Sequence, residues 1–152
     1  MNLRSLVKRM LLGALLGAAP ATALEDNAQP GTFNVTYFQA SGTPHSLYGI
    51  IVVNWTAAAD TPVTWCETHP AGSPDFPTTE KTKCLDFNMS FSLGRTENRG
   101  AKLELWHEPF SEPASYGVHY IEPEEIGIAR GITPTGDVEA YDGPANFMVD
   151  RT

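Results

Sequence analysis

Cys84-Leu-Asp-Phe-Asn-Met-Ser-Phe-Ser-Leu93 is the stretch on which the reading of this chain turns. Apolar Leu85, Phe87, Met89, Phe91 and Leu93 alternate without a slip against Asp86, Asn88, Ser90 and Ser92. That is the period-two pattern of a strand with one face in a core and the other in water. Burying five such side chains stabilises by roughly 10 kcal/mol gross, before chain entropy is counted. The stretch predicts a core strand over 85–93, with the fold built outward from it.

The cysteine that opens the stretch has one possible partner, Cys66. In an exported chain two cysteines most economically form a single disulfide. Between them, 67–83 carries Pro70, Gly72, Pro74 and Pro77 among threonines and charges, a composition that reads as a loop held at both ends by the bridge. Past Leu93, 94–100 is a polar turn. Alternation then resumes in Ala101-Lys-Leu-Glu-Leu-Trp-His107 with Leu103 and Leu105 inward, so the two halves predict a hairpin.

Farther out, Thr32-Phe-Asn-Val-Thr-Tyr-Phe-Gln39 predicts a first strand with Phe33, Val35 and Tyr37 inward. A β-branched run over 48–55 suits a strand buried on both faces, and Val63-Thr-Trp-Cys66 a short third. Toward the other end come 116–121, with Tyr116, Val118 and Tyr120 on one side, and a short strand around Ile126 and Ile128. A closing hairpin is expected from 138–141 and 146–149 across Asp142-Gly-Pro144. No stretch past residue 23 keeps a helical period with caps. The prediction is all-β: a compact antiparallel barrel or sandwich of about seven to eight short strands.

Arg4, Lys8 and Arg9, the apolar run 10–19 and Ala21-Thr-Ala23 make a secretory signal peptide cleaved after Ala23. The run is about half the length of a membrane span. The expected product is one domain, 24–152, released to the outside, with no lipid anchor and no retrieval signal at its end. Three of the ten basic residues leave with the signal, so seven basic groups face 18 acidic ones, a net charge of −11. That balance excludes nucleic acid and anionic membranes as partners.

Three N-glycosylation acceptors occur, Asn34-Val-Thr, Asn54-Trp-Thr and Asn88-Met-Ser. Asn34 and Asn88 fall on the wet faces of their predicted strands. The histidines His45, His69, His107 and His119 lack metal-ligand spacing, so no metal and no cofactor is expected. The acidic residues Glu104, Glu108, Glu112, Glu122, Glu124 and Glu125 could supply the carboxylate pair of a small cell-wall hydrolase, the alternative to a protein that runs no reaction. There is no Gly-x-Ser-x-Gly elbow and no thiol outside the cysteine pair, so no catalytic residue is assigned. Phe38, Trp55 and Trp106 fall opposite the inward set by parity and could form a contact surface.

Phe33-x-Val-x-Tyr-Phe-x-Ala40, Pro44-His-Ser46, Ile50 to Val53, Val63-x-Trp-Cys66, Cys84-x-x-Phe-x-Met-Ser-Phe91 and Leu103-x-Leu-x-His107 together resemble the Alternaria alternata allergen 1 (AA1-like) family of small secreted fungal proteins. The resemblance spans 33–107. It implies a compact antiparallel β-barrel in which Cys66 and Cys84 join neighbouring strands. It also implies a secreted effector, elicitor or allergen that binds a host plant protein or a small ligand, as a monomer or non-covalent dimer. Members commonly carry a second disulfide nearer the C-terminus, which this chain lacks.

Overall fold

The computed structural model describes residues 31–44, 47–58, 61–130 and 136–152. The signal segment predicted over 1–23, and His45, lie outside the described residues. Ten strands are present among the described residues, more than the seven or eight expected: β1 (Thr32–Ser41), β2 (Ile50–Thr56), β3 (Thr64–Thr68), β4 (Thr79–Lys83), β5 (Met89–Arg95), β6 (Ala101–His107), β7 (Ser115–Ile121), β8 (Ile126–Arg130), β9 (Asp137–Tyr141) and β10 (Phe147–Asp150). They form two antiparallel sheets, one ordered β3-β2-β1-β9-β8 with β10 also on β1, the other β4-β5-β6-β7. The arrangement is a sandwich rather than a closed barrel.

The sheets share one core. Phe33, Val35, Phe38, Ile51, Val53 and Trp55 of the first face Phe91, Leu93, Leu103, Leu105 and Ile121 of the second. Beside β10 the sheets draw together, with Gly117 of β7 bridged to Arg151. A Cβ on Gly117 would lie 2.8 Å from the Asp150 carbonyl oxygen and 3.0 Å from side-chain carbons of Phe33 and Val149. Glycine is what lets the strands approach there. On the opposite side Cys66 of β3 and Cys84, just after β4, form the expected disulfide across the two sheets.

Four expectations about local structure are corrected. The strand read over 85–93 starts at Met89, and Met89, Phe91 and Leu93 are buried as expected. Leu85 and Phe87, however, sit in a turn and are exposed. Asp86 makes that turn: its side chain accepts the Asn88 N–H at 2.9 Å and its carbonyl the Met89 N–H at 3.0 Å. Local Asx bonding has overridden an apolar alternation too short to decide alone.

The second correction concerns parity. β1 carries a bulge between Val35 and Tyr37, which flips the register beyond it. Tyr37 therefore faces out, while Phe38 and Ala40 join the core. Trp55, also expected outside, pairs with Val35 and is fully buried. Third, β4 forms within the segment read entirely as loop, because Thr79, Thr82 and Lys83 find partners on β5. Fourth, β9 and β10 make no hairpin with each other. β9 pairs with β8 and β1, and β10 lies along the start of β1.

The connection between β3 and β4, 69–78, is a strap across one end. Its carbonyls accept bonds from Thr43, Gly49 and Glu139, at Ser73, Pro70 and Pro74 respectively, and Phe76 is inserted into the core.

Candidate functional site

The site is built by the turns that the first correction exposes. Met89 pairs with His107, and the Glu108 N–H donates to the Asn88 carbonyl at 2.6 Å. The β4–β5 turn, 84–88, therefore lies beside the β6–β7 turn, 108–114, at one end of the second sheet. The start of β3 joins them: the Leu85 N–H donates to the Trp65 carbonyl at 3.0 Å and the Asp86 N–H to Thr64 Oγ1 at 3.1 Å. Leu85 is 76% exposed, Phe87 83% and Phe110 fully so, with Val63 and Trp65 also exposed at the same end.

Large apolar side chains spread singly over a surface need no explanation, but five gathered at one end form a patch of the kind that marks a contact site. Between Trp65 and Leu85, lined also by Glu67, Lys83 and Cys84, runs an open cleft of about 340 Å³. The disulfide sits directly behind this end. Sequence reasoning missed Leu85 and Phe87 as surface residues because the alternation filed them with the core. The signal that could have found them is the Asp86-Phe-Asn88 turn chemistry, with Phe110 between Pro109 and Pro113 its counterpart.

Of the three acceptor asparagines, Asn88 is exposed in the turn beside Phe87 and Asn34 is exposed on β1. Asn54 is half-buried between Tyr37 and Trp65 of the neighbouring strands, and its Oδ1 has no partner among the described residues.

The Glu residues considered for hydrolysis do not converge. Glu104 lies on the outer face of β6 and Glu108 just past the end of that strand, while Glu122 and Glu125 brace a short 3-10 turn at the far end of β7 through the Glu122 N–H and Glu125 Oε2. Burial pushes the Glu104 carboxyl up, but hydrogen bonds from Tyr116, Lys102 and Ser92 outweigh it and hold the group below the usual carboxylate range. The Lys81 hydrogen bond does the same for Glu108. A general acid of a glycosidase needs its carboxyl raised, and both are lowered. Among the described residues no cluster of His, Cys, Asp and Glu could hold a metal ion.

His119 of β7 packs inward against β10. Its ring stacks on Phe147 at 4.0 Å and Nε2 has no partner among the described residues. Burial lowers its pKa against the opposing pull of Glu125. Because the folded value lies below the unfolded 6.5, the unfolded chain binds more protons on the acid side of that value, and stability must fall as pH drops through the window. A fall in melting temperature from about pH 7 to about pH 5 is expected, flattened in His119→Phe, which keeps the stack and removes the proton site. Parallel profiles for the two proteins would show that another group controls the response.

Fold and site together define a two-sheet β-sandwich, clamped by one disulfide, that raises an apolar rim at one end. The two-sheet fold is similar to that of the major allergen Alt a 1 of Alternaria alternata. The crystal structure of that protein is similar with a TM-score of 0.56 over 82% of this chain and 95% of that one, at 15% sequence identity. The resemblance noted in the sequence thus has its counterpart in the fold. No family model and no curated protein matches the chain.

Proposed function

We propose that the chain is a secreted protein that runs no reaction and works by recognition, its apolar end seating on an extracellular host protein in the manner of an effector, elicitor or allergen. The observation that carries this reading is the exposure of Leu85, Phe87 and Phe110 on adjacent, rigidly tied turns. Apolar anchors ringed by polar groups, here Asp86, Lys83 and Glu112, are the usual core of a protein contact. The signal segment, the disulfide and the likeness to Alt a 1 support an extracellular setting.

The test is capture from plant apoplastic fluid by immobilised 24–152. Leu85→Ser/Phe87→Ser/Phe110→Ser is expected to lose at least about tenfold in captured partner while melting at or above the parent temperature, since no buried contact is removed. Equal capture by the two proteins would end the proposal. Self-association driven by the same end would appear instead as a mass that rises with concentration and falls to the monomer in the triple variant.

Glycans belong to the same reading. Secreted from a glycosylating host, the mature chain is expected to carry them at Asn34 and Asn88 and not at Asn54, where a sugar would have to emerge between Tyr37 and Trp65. Peptide mapping after deglycosylation reads occupancy directly, and a modified Asn54 would contradict the assignment.

A further inference from the structure

A second cluster lies away from the apolar end, on the outer face of the second sheet. Register places Lys83, Ser90, Trp106 and Tyr116 in one row across β4, β5, β6 and β7, with Ser92 and Glu104 in the next. Trp106 and Tyr116 lie 5.4 Å apart between ring centres. Tyr116 Oη donates to Glu104 Oε1 at 2.5 Å and Ser92 Oγ to Oε2 at 2.9 Å. Lys81 Nζ sits 4.7 Å above the Trp106 ring and reaches Glu108 at 2.9 Å. Beneath them Ser90 is fully buried although its position points to the outer face, and its hydroxyl has no partner among the described residues. A buried hydroxyl without a partner is costly. Flanked by Trp106 and Lys83 in the register, this hydroxyl is a polar group that a ligand entering the face would reach once the side chains above it are displaced.

We propose that this face binds a neutral oligosaccharide, with Trp106 as the stacking platform, Ser90 and the Glu104–Tyr116 pair as hydroxyl contacts, and Lys81 as a cover that swings aside. The ring face that now attracts an ammonium also attracts, more weakly, the polarised C–H face of a sugar ring. The ion pair of Lys81 with Glu108 is partly exposed on both sides and so is cheap to open. The cluster offers donors and acceptors side by side, as a polyol requires. Its lysines Lys81, Lys83 and Lys102 are each already paired with Glu108 or Glu104, and the mature chain is strongly acidic, both of which disfavour an anion. Cleavage is not part of the proposal, which stands independently of the apolar end.

Calorimetric titration of the mature chain with chitotetraose, cellotetraose, laminaritetraose and xylotetraose, one at a time, tests it. Saturable heat is expected with at least one of the four, weakened about tenfold or more in Trp106→Ala and unchanged in Trp65→Ala. Because Ser90 also completes the Asn88 acceptor, Ser90→Ala and the parent are compared as unglycosylated protein, where the variant is expected to bind a few-fold more weakly while melting no lower than the parent, a combination that a purely structural serine would not give. No heat with any of the four sugars, affinity unchanged in Trp106→Ala, or loss confined to Trp65→Ala would each overturn the assignment. The triple variant of the apolar end should bind the sugar as the parent does, so that failure of one site leaves the other intact.

Discussion

Trp55→Ala is expected to cost about 3–5 kcal/mol of folding stability, a large part of the roughly 5–15 kcal/mol that a domain holds in reserve. Trp55 heads the fully buried side chains by volume. It stands between Val35 and Thr64 on the neighbouring strands, meets Phe33 edge-on at 4.7 Å, and donates its indole N–H to Cys66 Sγ at 3.3 Å. Removing it empties the part of the core where β1, β2 and the disulfide meet, and strands cannot relax into such a gap without breaking register. Trp55→Phe keeps most of the packing and forfeits the indole bond, for a smaller loss of about 1–2 kcal/mol. Urea unfolding at fixed pH measures both. A midpoint for Trp55→Ala within error of the parent would mean that the core is not organised as described.

That the central tryptophan was expected on the surface shows what a single sequence carries. The strands β1, β2, β3, β5, β6 and β7 were legible because each holds β-branched or aromatic residues between turn-forming ones, and the hairpin of β5 and β6 follows from two clean alternations and a polar turn. Parity was not legible. One bulge in β1 shifts Tyr37, Phe38 and Ala40 by a face, and nothing in Thr32-Phe-Asn-Val-Thr-Tyr-Phe-Gln announces it. β4 was invisible for a different reason. As an edge strand over β5 with the polar sequence Thr-Glu-Lys-Thr-Lys, it shows the charge that protects an edge instead of the alternation that marks a core. The disulfide needed only arithmetic. The apolar end needed coordinates, since Leu85 and Phe87 continue the period of the strand that follows, and only the Asp86 turn separates them from it.

Cys66→Ala/Cys84→Ala is expected to lose about 3 kcal/mol, the chain-entropy value for a bridge closing 18 residues, and to lower the melting temperature by roughly 10 °C. Reducing the parent chain should reproduce the same curve. The larger consequence falls on recognition. Leu85 follows Cys84 directly, and the bridge sets β3 against the turn that carries Leu85 and Phe87, beside the two backbone donations from that turn to Trp65 and Thr64. Without the clamp those turns sample more conformations, and ordering them on a partner then costs free energy that the bridged form does not spend at binding. Capture by the double variant should therefore drop several-fold at a temperature where it is still folded, the deficit appearing in dissociation rather than association. If the folded double variant holds its partner as tightly as the parent, the clamp serves stability alone, and the rim owes its order to the sheets beneath it.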